Sequence, residues 1–384
     1  MGDRFGQYKY SCALALSMLE LITAAFERQD YDTAAQLLQQ LQQNSAAEPW
    51  VQFYSGRLDE ISGNLDAAAE IYRQLLLSSG HVHAKIVAQA RQGIERIEIL
   101  VKAQRQEAIA QATADPDRTQ KGVLVLEPIA SDRKPEAARN LARIMQVDPY
   151  TARLQLPSRG WRLYRIGAIG ELQFFVQQLL AADIPCFWVT FAEIEQIRIF
   201  HGQYFETASE ANVVCQNEAD ELSFLSFPWL EVTHKVMGLL PIFEQVVDRN
   251  VRGKLQRKTQ TQDYVQVCDL HLPSKSCILR LCDRSYMFHN GISFSEPQIS
   301  EQQAHHQTTV RINWNHLQNF LDQKLYHAQV WSDFTVFAES ALDRSDFLDP
   351  LPSHIHLFRR EPSNWDPAFH LYSGLAYLKG LRGK

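Results

Sequence analysis

The apolar residues of the first 112 positions recur at intervals of three and four residues, which is the spacing of amphipathic helices. Leu16, Leu19, Ile22 and Phe26 keep this spacing near the amino terminus. Gly63 starts the predicted turn of a second helix pair. The pattern predicts two helix pairs and one long helix, at 11–28 with 31–43, 48–62 with 65–78, and 83–112.

Two segments of this region are copies of each other, because residues 30–41 recur as residues 64–75 at an offset of 34. A period of this length indicates stacked helix–turn–helix units, which bury their apolar faces only against one another. The identical pairs are Asp32 and Asp66, Ala34 and Ala68, Ala35 and Ala69, Gln40 and Gln74, and Leu41 and Leu75.

The repeated segments resemble the tetratricopeptide repeat family. In the second copy Gly56 is the small residue at the helix contact, and Gly63 lies at the turn. Ala68 and Tyr72 match the small and aromatic positions of the second helix. The first copy is more degenerate, with Ile22 at the small position. The resemblance covers about 100 residues and implies a right-handed helical stack with a concave groove that binds segments of other proteins.

In that family the first helix of each repeat lines the groove. Aromatic residues and arginine are enriched at interaction hot spots, so those on this face are candidate partner-binding residues. The register would expose the following residues of the two first helices: Leu16, Leu19, Thr23, Phe26, Trp50, Phe53, Tyr54 and Arg57. The alternative is that Trp50 and Phe53 pack against the long helix or the next domain. One branch of the family binds chaperone tails through lysines and asparagines in the groove. This chain has no counterpart of those residues, and binding of chaperone tails is therefore not implied.

After a polar linker at 113–121, short apolar strands alternate with helices. The order β-α-α-β-α-β over residues 122–195 is similar to the compact α/β domain shared by the Clp protease adaptor and the carboxy-terminal domain of the ribosomal stalk protein. Residues 171–189, a helix that runs into an apolar strand, carry this likeness. The protease adaptor recognises amino termini through acidic and histidine residues. These residues have no match here, and the activity of the adaptor is therefore not implied.

Residues 196–384 are predicted to form a strand-rich α+β domain, which makes the chain a multidomain protein. Residues 236–247 fit either a strand or a helix. Strands are predicted at 197–205, 222–227, 229–232, 264–272, 277–281, 285–292 and 354–358, and helices at 314–325, 333–342 and 365–381. The expected domains are the helical repeats at 1–112, the linker at 113–121, the small α/β domain at 122–195 and the α+β domain at 196–384.

The composition changes this picture little. The chain has 384 residues, a formal net charge of −6 and 45% hydrophobic residues, as expected for a globular protein of two or three domains. No basic excess offsets phosphate charge, so a nucleic-acid partner is not expected. The six cysteines lack disulfide-like spacing and are expected as reduced thiols of a cytoplasmic protein. No apolar run is long enough to predict a membrane span.

Four metal-ligating side chains lie close together in the sequence, namely Cys268, His271, Cys277 and Cys282. Residues an odd number apart on a strand lie on opposite faces, and here the separations are three and five. A zinc site would therefore need a bulge or a turn within these segments. We expect no metal and no cofactor.

Other polar clusters lie in the carboxy-terminal third. His354 and His356 share one face of a predicted strand, and an acidic run extends over 333–349. Solvated polar positions explain both clusters. No Ser-His-Asp signature, nucleophile elbow or Walker loop occurs, so catalysis is not expected. An enzyme that uses these histidines and acids is the alternative.

One basic segment carries five cations within ten residues: Arg249, Arg252, Lys254, Arg257 and Lys258. Such a loop can dock an acidic protein surface or anionic lipid headgroups, or it can simply be a solvated connection between strands. The sequence thus favours a non-enzymatic adaptor or assembly factor that captures a partner protein. A membrane-surface tether that acts through the basic segment is a further alternative.

Overall fold

The computed structural model describes residues 17–45, 48–78, 83–249, 255–294, 309–349, 351–355, 357, 359 and 362–383. Contacts within the chain divide it into two compact units, Met1–Gln111 and Ala112–Lys384. The amino-terminal unit is helical, and the carboxy-terminal unit combines helices with two β-sheets. This layout agrees with the expected order of a helical region followed by an α/β region.

The helical unit follows the predicted order of elements. Its helices are α1, described over residues 17–27, α2 (Tyr31–Ser45), α3 (Pro49–Ile61), α4 (Leu65–Leu77) and α5 (Ala84–Ala112). Pro49 suits the first turn of α3 because proline needs no hydrogen-bond acceptor for its nitrogen there. Gly63 has a φ of +83°, a left-handed conformation that glycine adopts without strain at a helix end.

Tyr72 of α4 is the centre of the helical packing. Its ring is fully buried and lies between Gly56 of α3 and Gly93 of α5. A Cβ atom on Gly56 would be 2.9 Å from the ring, and one on Gly93 would be closer still. Glycine therefore lets both neighbouring helices approach α4. The sequence pattern indicated Gly56 but not Gly93, which comes from a different helix.

A three-stranded antiparallel sheet begins the carboxy-terminal unit. Its strands are β1 (Lys121–Leu126), β2 (Arg162–Ala168) and β3 (Cys186–Thr190), in the spatial order β2-β1-β3. The central strand β1 is buried from Gly122 onward because it is apolar on both faces. The helices are α6 (Lys134–Met145), α7 (Pro149–Gln155), α8 (Ile169–Ala181) and α9 (Phe191–Glu195). The chain order from β1 to β3 is the expected β-α-α-β-α-β.

A seven-stranded mixed sheet follows, in the order β10-β7-β8-β9-β4-β5-β6. The β4–β9 and β7–β10 pairs are parallel, and the other neighbouring pairs are antiparallel. The strands are β4 (Arg198–Thr207), β5 (Ala211–Gln216), β6 (Leu222–Phe227), β7 (His234–Arg249), β8 (Leu255–Leu272), β9 (Cys277–Cys282) and β10 (Gln329–Trp331). The helices of this part are α10 (Val310–Lys324), α11 (Phe334–Leu342), α12 (Ser345–Leu348) and α13 (Trp365–Arg382).

Three strand predictions in this region are wrong. Residues 229–232 form a 3-10 turn, since Glu231 N donates to Pro228 O (3.0 Å) and the Trp229 ring is buried in the core. Residues 285–292 form turns rather than a ladder, with Asn290 N donating to Met287 O (3.0 Å). No strand occurs at the described residues of 354–358, because the positive φ of His354 (48°) breaks an extended conformation. Residues 356 and 358 lie outside the described residues.

The sheet region also contains strands that the pattern did not predict. The ambiguous segment 236–247 is part of the long strand β7. Strands β5 and β10 were missed. Both are short, and β10 depends on its pairing with β7 rather than on a pattern of its own.

The two sheets share a hydrophobic core. Val123 and Val189 of the small sheet belong to the same buried cluster as Val236 and Val267 of the large sheet and Phe369 of α13. This core extends across the expected boundary between residues 195 and 196. Helix α13 is buried from Asp366 to Leu378, as is typical of a central helix that is covered on all sides. A second core lies beneath α10.

Candidate partner-binding groove of the helical unit

An open groove of about 580 Å³ lies on the helical unit, between α3, α4 and α5. Its apolar part includes the exposed side chains Ile61, Ile99 and Leu100. Its polar part includes Arg57 and Arg96. The groove therefore offers aliphatic contact area next to fixed positive charge, a combination that suits binding of a protein segment.

Glu60 organises the polar part of the groove. Its carboxylate accepts hydrogen bonds from Arg57 Nη1 (3.0 Å), Arg96 Nε (2.8 Å) and the Tyr72 hydroxyl (2.8 Å). Burial raises the pKa of Glu60, but the hydrogen bonds from Arg96 and Tyr72 and the nearby Arg57 outweigh it, so the pKa lies below its usual value. Glu60 is thus a charged centre that fixes two guanidinium groups.

Both guanidinium groups keep access to solvent. The side chains of Arg57 and Arg96 are 30% and 45% exposed, whereas Glu60 is almost enclosed. Two positive charges share one negative charge, so a partner carboxylate can bind there with charge-assisted hydrogen bonds. Hydrogen bonding to Glu60 raises the pKa of Arg96, and burial then opposes that effect.

Sequence reasoning identified Arg57 and missed Glu60 and Arg96. The spacing of Arg57 and Glu60 is visible in the sequence, because residues three apart are neighbours on a helix. Arg96 comes from α5, and its approach to Glu60 depends on how α5 packs. The exposed pair Ile99 and Leu100 lies outside the buried stripe of α5, and two adjacent apolar residues at such positions are a signal in the sequence for an apolar surface.

Comparisons of the chain with models of known protein families, with curated proteins and with solved structures find no match. Function is therefore inferred from the side chains of this chain alone.

The predicted exposure of Phe53 and Tyr54 is wrong, because these side chains are only 5% and 8% exposed. The Tyr54 ring stacks on Phe26 at 5.0 Å and on Trp50 at 6.1 Å, and its hydroxyl is 2.7 Å from the Thr23 hydroxyl. Phe53 packs into the core, 5.9 Å from the Tyr72 ring. These aromatic residues stack on one another, which removes Phe53 and Tyr54 from the surface.

Leu19, Phe26 and Trp50 are partly buried at the margin of this core. Their role in partner binding stays a prediction. Leu16, which the same register would expose, lies outside the described residues.

The basic segment lies at the end of a long hairpin rather than wholly in a loop. Arg257 and Lys258 are exposed residues of β8, opposite Val247 and Val246 of β7. Arg249 is the last residue of β7. Arg252 and Lys254 lie outside the described residues. The expected loop is shorter than 249–258 because the two strands pair up to Arg249 and Leu255.

Cys268, Cys277 and Cys282 of the carboxy-terminal unit are divided between two hydrophobic cores. Cys268 and Cys277 belong to the core beneath α10, whereas Cys282 belongs to the core shared by the two sheets. His271 contacts Ser373 of α13, with its Nε2 3.0 Å from the hydroxyl. Burial raises the pKa of Cys277 to about 11. Among the described residues, no three histidine, cysteine or acidic side chains could share a metal ion.

Two other expectations concern His354 and membrane spans. The ring of His354 lies 4.8 Å from that of His370, while His356 lies outside the described residues. In the part of the chain that the structure describes, no helix combines the length and apolar character that a membrane crossing requires.

Proposed function

We propose that this protein is a non-enzymatic adaptor or assembly factor that binds a segment of a partner protein in the groove of its helical unit. One observation carries the proposal. Two partly exposed guanidinium groups, held by a single carboxylate, lie beside exposed aliphatic side chains in one groove. Arginine next to apolar contact area is typical of interaction hot spots.

The tetratricopeptide-like interpretation supports this proposal. The two copies of the 34-residue repeat lie largely in α2 and α4, which are the second helices of consecutive pairs. Gly56, Ala68 and Ala90 are buried, as stacking through small residues requires. In such a stack α3 and α5 are first helices, and these two helices contribute Arg57 and Arg96 to the groove.

The chemistry of the groove defines the partner segment. The partner segment needs aliphatic side chains to pack on Ile61, Ile99 and Leu100. It also needs a carboxylate close to these side chains to bind the two arginines. We therefore infer an acidic, amphipathic segment of another protein. Such a segment would bury its apolar side on the aliphatic residues and place its Asp or Glu between Arg57 and Arg96.

The test is partner capture with matched variants. The full chain is used as bait in a native extract, and recovered proteins are quantified by mass spectrometry for wild type, Arg96→Ala and Leu100→Asp. We expect both variants to recover less of the same proteins. Each substitution should weaken binding of the partner by about 2 kcal/mol, which is roughly 30-fold in affinity. Arg91→Ala is the control, because Arg91 is an exposed residue of α5 that does not line the groove. Full recovery by well-folded Arg96→Ala and Leu100→Asp would contradict the proposal.

A second candidate function is docking to an anionic membrane surface. The exposed apolar residues Val247 and Leu255 lie at the far end of the β7–β8 hairpin, next to the exposed cations Arg257 and Lys258. Apolar residues flanked by cations suit the headgroup region of a membrane.

The measurement is sedimentation with vesicles that contain phosphatidylserine. Arg257→Glu with Lys258→Glu should reduce binding by at least about 30-fold, since the two cations near such a surface contribute about 1 kcal/mol each and the introduced carboxylates are repelled by it. Lys102→Glu changes an exposed cation elsewhere and serves as the control. Equal sedimentation of all variants would contradict membrane docking, and an acidic protein surface would then be the partner to test.

A further inference from the structure

A second cleft, of about 620 Å³, lies in the carboxy-terminal unit. It opens between strand β2, which is the edge strand of the small sheet, and the end of α11. Polar side chains make up most of its lining. The lining includes Arg162, Tyr164, Arg165, Ser340, Asp343 and Arg344, and therefore combines three guanidinium groups with one carboxylate.

A β-bulge brings two of these arginines to the same face of the sheet. Arg162 and Arg165 are three residues apart and would lie on opposite faces of a regular strand. Their register partners on β1 are Leu126 and Leu124, which are two residues apart, so Tyr164 is the extra residue. A bulge of this kind redirects side chains and is over-represented next to functional sites.

The lining groups are held in place before any ligand binds. Arg344 Nη2 donates to the Tyr164 carbonyl (3.1 Å), and Arg165 Nε donates to Glu171 Oε1 (3.0 Å). Ser340 accepts from Leu163 N (3.0 Å) and donates to Phe337 O (2.7 Å). Fixed groups lose little conformational entropy on binding, so such a cleft is preorganised.

Arg162 differs from the other two arginines. It is half-buried, and among the described residues its guanidinium forms no hydrogen bond or ion pair. A half-buried guanidinium without a counter-ion favours binding of an anion. Asp343 and the Glu171 partner of Arg165 together offset only two of the three positive charges of the cleft.

We propose that this cleft binds a small, strongly polar organic phosphate of the sugar-phosphate class. A guanidinium group can donate two parallel hydrogen bonds to the oxygens of one phosphate. The volume of the cleft lies within the usual range for small-molecule sites. The largely polar lining suits the hydroxyl groups of a sugar and offers little surface to a large apolar group. This site lies in a different unit from the groove, so it is independent of the proposed adaptor function.

Isothermal titration calorimetry of the full chain tests the proposal, with ribose 5-phosphate as the probe. Ribose and inorganic phosphate are separate controls. We expect ribose 5-phosphate to bind, ribose not to bind, and inorganic phosphate to bind at least tenfold more weakly. Affinity for the ester should fall as salt rises, because the contacts are charged.

Arg162→Ala should weaken binding of ribose 5-phosphate at least tenfold. Because the Arg162 guanidinium forms no hydrogen bond or ion pair with any other described residue, this variant should remain folded. Arg162→Lys should recover part of the affinity, since it restores charge but not the planar pair of donors. Arg153→Ala changes an exposed arginine of α7 that does not line the cleft, and it should bind like wild type.

Three outcomes would overturn the proposal. The first is absence of binding by ribose 5-phosphate to the wild-type chain. The second is equal binding by wild type and Arg162→Ala. The third is binding of inorganic phosphate as tight as that of the ester, which would mean that the cleft recognises the anion alone.

Discussion

The two units each contain a carboxylate that is bonded to guanidinium, but in opposite environments. In the helical unit, Glu60 holds Arg57 and Arg96 at a groove where both arginines reach solvent. In the carboxy-terminal unit, Asp269 and Arg280 are fully buried and paired through two hydrogen bonds of 2.9 and 2.7 Å. The first arrangement leaves positive charge available for a partner. The second leaves none, which indicates a structural role.

The buried pair also fixes the chain around it. Asp269 and Arg280 lie directly opposite each other on β8 and β9. Arg280 Nη1 also donates to the carbonyls of Ser353 (2.8 Å) and His354 (3.1 Å), and its guanidinium carbon lies 5.2 Å from the centre of the Phe369 ring. One side chain thus connects the large sheet, the segment around His354 and α13. The comparison predicts that these two clusters respond very differently to mutation.

The largest effect is expected from breaking the buried pair. Asp269→Ala leaves the Arg280 charge buried without its carboxylate and should lower the free energy of unfolding by about 3–5 kcal/mol. Urea denaturation of the full chain measures this. Asp263→Ala is the control, because the Asp263–Arg284 pair is exposed and should contribute about 0–1 kcal/mol. Similar losses in the two variants would contradict the structural role of the buried pair.

The second prediction concerns pH and also belongs to the carboxy-terminal unit. Burial lowers the pKa of His271 and His370 well below 6.5, and the neighbouring His234, His354 and Arg280 add to the effect. The unfolded chain therefore binds more protons than the folded chain once the pH falls below about 6.5. Above that pH, these histidines should not change the free energy of unfolding. Below it, each buried histidine should lower the free energy of unfolding by up to about 1.4 kcal/mol per pH unit.

Urea titrations between pH 7.5 and 5 measure this dependence. His370→Phe should reduce the slope, since one buried histidine no longer titrates. His83→Phe, a change at an exposed histidine of the helical unit, should leave the slope unchanged. A slope that His370→Phe does not alter would exclude His370 as a source of the pH dependence.

The third prediction tests the packing behind the groove. Gly93→Ala places a methyl group against the Tyr72 ring and should cost about 1–3 kcal/mol through overpacking. Gly56→Leu should act in the same way from α3. Ala88→Leu enlarges an exposed side chain of α5 and should change the melting temperature little. Unchanged melting of Gly93→Ala would mean that α5 does not pack on Tyr72 as described.

The smallest effect is expected at the groove carboxylate. Glu60→Gln removes one negative charge from a partly exposed network and should cost only about 0–1 kcal/mol of stability. It also leaves both arginines unneutralised, so capture of an acidic partner segment should become stronger. Thermal melting and quantitative partner capture measure the two effects. A stability loss as large as that of Asp269→Ala would remove the contrast between the clusters.

The sequence predicted the elements better than the surfaces. Periodic spacing correctly indicated α2 to α5 and the β-α-α-β-α-β order, because each of these elements carries its own apolar face. It predicted a strand at 229–232, where the chain instead turns to bury Trp229. It also predicted exposed Phe53 and Tyr54, which stacking with Phe26 and Trp50 buries.

What the sequence determined by itself was local. The 34-residue repeat, the turn at Gly63 and the apolar strand β1 follow from spacing and from residue type within short windows. The tertiary structure decided which side chains meet. Arg96 reaches Glu60 through the packing of α5, and the register of β1 against β2 brings Arg162 and Arg165 to one face. The physical reason is that a local pattern identifies the buried face of an element, whereas the partner of that face is chosen by contacts between residues far apart in the chain.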